Sequence, residues 1–199
     1  MKKSRITPKI FGERVKDFSK ICGGEISDDV WVCDGDFFVS HKDEVEEKVR
    51  NGAKAIIFTN RSLSVLGDDV IFPIHTLEEE VRANNFVARS DRSAYTKEFG
   101  EEDFKNFYNE DKDYQDLTAW FKFEWSGAEE ILYTYVDCND KKYDLQKKHL
   151  LIAGEKKYGK GSVVLSTLSA LNGCIGCNPV LDKFLINLIN INGECNEET

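Results

Sequence analysis

The chain has 199 residues and a net charge of −9, from 27 basic and 36 acidic side chains, and 41% of it is hydrophobic. That length can bury a core without staples, and the acidic balance excludes a non-specific hold on nucleic acid or on an anionic membrane, which needs a basic face. No apolar run approaches the roughly 20 residues of a membrane span, so neither a nucleic-acid nor a membrane partner is expected.

The amino terminus, Met1-Lys2-Lys3-Ser4-Arg5, has the charge of a signal peptide, but Thr7, Pro8 and Lys9 follow in place of an apolar segment. The expected compartment is the cytoplasm. The six cysteines (Cys22, Cys33, Cys138, Cys174, Cys177 and Cys195) are then expected as reduced thiols.

Lys9-Ile10-Phe11 reads as a short strand. Gly12 to Ile21 reads as a helix with Val15, Phe18 and Ile21 on one face, stopped by Gly23-Gly24. Asp29 to Cys33 reads as a strand buried on both faces. Ser40 is the expected cap of a helix with Asp43 and Glu44 in its first turn and Val45 and Val49 on its apolar side; Asn51-Gly52 ends it. Ala53 to Phe58 is the clearest strand. Strand, helix, strand, helix, strand is the start of a parallel, doubly wound sheet with right-handed crossovers.

After Thr59 the pattern weakens. Val70 to Phe72 and Phe86 to Ala88 read as brief strands, with a short helix from Thr76 to Ala83 between them. Residues 90–118 alternate acidic, basic and aromatic side chains, as an ordered excursion folded onto the body would. Ala119 to Phe123 and Glu130 to Val136 are two further strands. Leu150 to Ala153 and Val163 to Leu165 flank Gly159-Lys160-Gly161, which is a hairpin signal. Asn178-Pro179 then opens a helix whose apolar stripe is Val180, Leu181, Phe184, Leu185, Leu188, Ile189 and Ile191. No linker or repeat divides the chain. It reads as one domain over 1–199, with a core from about 9 to 191 and an acidic tail at 193–199.

Three segments together carry a family resemblance. They are KIFGERVKDFSKICGGEISDDVWVCDG with EVEEKVRNGAKAIIF, then FVARSDRSAYTKEFGEEDFKNFYNED, then AGEKKYGKGSVVLSTL with NPVLDKFLINLI. Their order resembles the class I glutamine amidotransferase-like domain near the carboxyl end of some family 2 glycoside hydrolases, the β-galactosidase and β-glucuronidase relatives. Phe107 stands where that family's middle segment has Trp. The resemblance implies an α/β, three-layer, doubly wound and mainly parallel sheet of flavodoxin-like type, ending in a β-hairpin and helix. It also implies a non-catalytic accessory role, with a catalytic glycoside hydrolase domain or a second copy of the chain as partner. It implies no glutaminase chemistry, because Thr59-Asn60-Arg61-Ser62-Leu63 holds no cysteine elbow and His41, His75 and His149 form no His-x-Glu pair.

Four sets of residues stand out as sites, and no cofactor is expected for any of them. Asp34, Asp36, Asn60 and Arg61 follow the central strands at their carboxyl ends, where open α/β sheets take ligands. These are the candidate groups of a sugar or small-molecule site, a reading that backbone or side-chain groups blocking the crevice would end. Phe104, Phe107 and Tyr108 are a candidate interaction surface, weighed against aromatics that point inward. Cys174 and Cys177, ahead of the last helix, could form a redox pair or part of a metal site; two ordinary loop thiols is the plainer reading. Tyr158-Gly159-Lys160-Gly161 lacks the spacing of a phosphate loop and reads as a turn. An autonomous hydrolase is the remaining alternative, with no catalytic pair assignable.

Overall fold

Three parallel strands in chain order form one half of the sheet: β1 (Ile6–Phe11), β2 (Glu25–Asp34) and β3 (Lys54–Phe58). The computed structural model describes residues 3–59, 74–76, 87–101, 103–104, 108–109, 114–115, 119, 122–135, 149–168 and 174–191. β2 and β3 are apolar without interruption near their carboxyl ends because both faces are covered. Val30, Val32, Ile56 and Phe58 face one side, and Trp31, Cys33, Ala55 and Ile57 face the other.

The connection from β1 to β2 is a 3-10 helix, Glu13–Lys20, where the sequence predicts an α-helix over 12–21. Gly12, at its start, offers no side-chain cap, and 3-10 turns are frequent as connectors. Its Val15 and Phe18 are buried on the first face, where Phe18 packs 5.3 Å from Phe58. The connection from β2 to β3 is two helices, α1 (Gly35–Ser40) and α2 (Lys42–Arg50). Their Phe38, Val45 and Val49 cover the second face. Ser40, the expected cap of the helix that carries Asp43 and Glu44, is instead the last residue of α1; His41 opens α2 without a side-chain cap, and Asp34 caps α1. The strands step the same way while their crossovers lie on opposite faces, so the two crossovers have opposite hands. The right-handed rule holds for only one of them.

The remaining strands correct the expected fold class. They are β4 (Ile74–Thr76), β5 (Ala88–Arg89), β6 (Tyr108–Asn109), β7 (Tyr114–Gln115), β8 (Phe123–Trp125), β9 (Glu129–Tyr135), β10 (His149–Tyr158) and β11 (Gly161–Ser166). Among the described residues the main sheet has nine strands, ordered β1-β2-β3-β11-β10-β8-β4, with β9 also on β10 and β5 on β9. β11 runs parallel to β3, but β10, β9, β8, β5 and β4 pair antiparallel. The sheet is therefore mixed, not the doubly wound, mainly parallel, flavodoxin-like sheet that was expected. The closing hairpin itself is as expected: β10 and β11 join through the two-residue turn Gly159-Lys160, with Gly159 at φ 61, and so tight a turn sets strands antiparallel. The sheet becomes mixed because β9 and β8 pair antiparallel with β10 as well.

α3 (Pro179–Asn190) returns to the first face, where Leu181, Phe184, Leu185, Leu188 and Ile189 are buried. Asn178 caps it as the sequence predicts, its Oδ1 accepting from the backbone N–H of Val180 and Leu181 at 3.1 Å each. The expected strand at 70–72 lies outside the described residues, as does most of the expected helix after Thr76. Ala119 forms an isolated bridge to Leu168, and its strand begins only at Phe123. No helix among the described residues is long and apolar enough to cross a membrane.

Candidate functional site

Among the described residues, the protein's own groups crowd the crest of the sheet, at the carboxyl ends of β1, β2 and β3. Asp34 is 3% exposed. Its Oδ1 accepts from the Phe37 N–H at 2.8 Å, which caps α1, and its Oδ2 accepts from the Arg14 N–H at 3.3 Å, which holds the start of the 3-10 helix. A Cβ at Gly12 would stand 2.1 Å from Asp34 Oδ2, and one at Gly35 would stand 2.6 Å from Thr59 Oγ1. Backbone and side chain are therefore in close contact across this crest. Asp36 is half-buried in the first turn of α1. Asn60 and Arg61 lie outside the described residues. The structure thus keeps Asp34 and Asp36 near one another and commits Asp34 to the backbone.

An aromatic stack runs outward beside this crest, and no sequence reading anticipated it. Phe11 lies 4.8 Å from Trp31 and 4.6 Å from Phe37, and Phe37 lies 4.2 Å from His41, the last two contacts nearly coplanar. Trp31 is buried and its Nε1 donates to the Asp28 carbonyl at 2.9 Å. Lys9 and Lys48 each lie 5.9 Å from its ring centre. At the other end His41 is exposed, and Val39 in α1 is 47% exposed. The available signal was the four-residue spacing of Phe37 and His41, which meets on a helix.

A second cluster is buried on the opposite face. Lys54, the first residue of β3, is 4% exposed. Its Nζ donates to the carbonyls of Leu188 at 2.5 Å and Ile191 at 2.6 Å, at the carboxyl end of α3. It also lies 4.4 Å from the Tyr95 ring centre. The Tyr95 hydroxyl donates to Glu155 Oε2 at 2.9 Å, and Glu155 is itself 3% exposed. Burial pushes Lys54 down to about 7, against the opposing pull of Glu155 and with some help from Lys157. Asn187 of α3 donates to the Tyr95 carbonyl at 3.0 Å, joining helix and segment.

Cys174 and Cys177 bracket the turn that feeds α3. Neither forms a disulfide; Cys174 is buried and Cys177 exposed. The Cys174 carbonyl accepts from the N–H groups of Cys177 and Asn178, and buried Asp182 accepts from the Gly176 N–H at 2.8 Å. Burial raises the Asp182 carboxyl, with the Gly176 bond opposing. No group of three or more histidine, cysteine or carboxylate side chains converges as a metal site among the described residues. Cys33 is fully buried, and burial pushes its thiol far up; Cys22 is raised for the same reason.

Phe104 is 2% exposed and belongs to the core, 5.0 Å from Phe99 and edge-on to Phe184 at 5.6 Å. Tyr108 sits in β6, paired with Gln115 of β7. Phe107 lies outside the described residues.

No family model matches the chain, and no curated protein matches it. Among solved structures, a β-galactosidase from Bacillus circulans sp. alkalophilus superimposes on 93% of this chain with 12% identity and a TM-score of 0.48. The chain spans 31% of that enzyme's length.

Proposed function

We propose that this chain is a non-catalytic accessory domain of a glycoside hydrolase, and that it acts by packing against the hydrolase's catalytic domain. The observation that carries this reading is the crowded crest. Open α/β sheets take ligands at the carboxyl ends of their strands, and there Asp34 is held by two backbone N–H groups while Gly12 and Gly35 press on Asp34 and Thr59. A carboxylate fixed in this way caps a helix and cannot turn to a substrate. The reading as a sugar-binding module built on Asp34 is disfavoured by the same contacts. The buried thiols favour no nucleophile either, since only a thiolate attacks and burial keeps Cys33 and Cys22 protonated.

The resemblance of the three sequence segments supplies the class of partner. The aromatic stack supplies the face. Rigid aromatic side chains that run from a buried Trp to an exposed His offer contact area at low entropic cost. Sedimentation of the chain with the hydrolase polypeptide encoded in frame with it or beside it tests the proposal. Co-sedimentation that weakens at least tenfold in Phe37→Ala and His41→Ala is the expected result. Separate sedimentation at micromolar concentration, or turnover of aryl glycosides by the chain alone, overturns it.

A further inference from the structure

The cluster around Lys54 joins four parts of the chain: β3, the Tyr95 segment, β10 and the end of α3. The ammonium has three N–H donors. Two meet the carbonyls of Leu188 and Ile191, and the Tyr95 ring lies against the Nζ. The Glu155 carboxylate is turned to the Tyr95 hydroxyl, and its Oε1 has no hydrogen-bond partner among the described residues. No ion pair forms between Lys54 and Glu155. The buried charge therefore has a counter-charge only at a distance, across an aromatic ring.

A neutral amine keeps two donors, enough for both carbonyls of α3. Loss of the proton costs the cluster no hydrogen bond, whereas gain of it places a charge where water is excluded. Facing Lys54 are Glu155 and Lys157 of β10, Tyr95, the uncharged Ser162 of β11 and the carbonyl end of α3.

We propose that Lys54, Tyr95 and Glu155 form an acid-opened latch: protonation of the buried lysine lifts the last turn of α3 and the Tyr95 segment from the sheet, and loss of the proton closes them. The Asn187 bond to Tyr95 makes helix end and segment move together. The sign follows from linkage. Opening returns Lys54 to water, where it binds a proton more tightly than in the closed state, so acid favours opening.

The test is amide hydrogen exchange of the full chain, corrected for intrinsic rate, with peptides from 90–101 and 184–191 compared against α2. Protection of the first two should rise about tenfold between about pH 6 and about pH 8, given the closed value near 7, while α2 changes little. Lys54→Met should abolish the rise. Glu155→Gln, which removes the group that favours the charged amine, should shift it to lower pH and decides the matter if Lys54→Met does not fold. Equal slopes in all peptides, a flat profile, a slope that survives in Lys54→Met or a midpoint unmoved in Glu155→Gln would each overturn the latch.

Discussion

The backbone of Gly12 lies so close to the carboxylate of Asp34 that a Cβ on Gly12 would stand 2.1 Å from Oδ2. Gly12 has φ 105 and ψ 151, a region essentially closed to residues with a side chain. Gly12→Ala is therefore expected to destabilise the fold by roughly 2 kcal/mol or more, from strain and from displacement of the carboxylate. Asp34→Ala removes the cap of α1 and the anchor of the 3-10 helix, at about 1–2 kcal/mol. Guanidinium unfolding reads both as a lower midpoint with an unchanged slope.

Phe104 and Phe37 should separate stability from association. Phe104 is enclosed by Phe99 and Phe184, so Phe104→Ala should cost about 3–5 kcal/mol of stability. Phe37 is only half-buried. Its replacement by Ala should cost less in the unfolding curve and more in co-sedimentation with the hydrolase. The reverse ranking would put the contact face elsewhere.

The thiols should divide by burial. Among the cysteines described, Cys177 alone is exposed, and Cys22, Cys33 and Cys174 are buried. A disulfide reagent with peptide mapping should label Cys177 in the native chain well before the other three, which become reactive only on unfolding. Early labelling of Cys33 would contradict the closed core under β2.

Stability should depend on pH through two opposed groups. Lys54 is held down to about 7 in the fold, against about 10.4 when unfolded. From about pH 7 upward the unfolded chain holds the extra proton, so stability rises with pH, by at most about 1.4 kcal/mol per unit. Cys22 and Cys33 are raised. Above about pH 8.5 the unfolded chain loses their protons and the fold keeps them, so stability falls. Unfolding curves from about pH 6 to about pH 9.5 should pass through a maximum. Lys54→Met should remove the rising limb and Cys33→Ala should soften the falling one.

The elements that the sequence shows plainly are those whose signals are local. The Asn178-Pro179 cap, the stripe from Leu181 to Ile189 and the Gly159-Lys160 turn all appear as expected. That hairpin fits the expected fold; the mixed sheet comes from β8, β9, β5 and β4, whose antiparallel pairings are long-range and leave no local signal. α1 is too short, six residues, to show a helical period, although an Asp followed by Gly makes a good amino-terminal cap. The site was less legible still. Lys54 sits at the start of an apolar strand, where a lysine is normally solvated, and the carbonyl it meets at Leu188 is 134 residues away. Only the folded chain brings them together.

A domain that supports a hydrolase without doing chemistry should change that enzyme's stability and leave its turnover alone. The most direct measurement compares that hydrolase with and without this chain, in thermal melting and in kcat/KM per folded active site, alongside the chain alone on aryl glycosides and glutamine. The expected result is no turnover by the chain alone, a lower melting temperature for the hydrolase without it, and an unchanged kcat/KM. Turnover by the chain alone, or a loss of kcat in a hydrolase whose melting is unaffected, would contradict it.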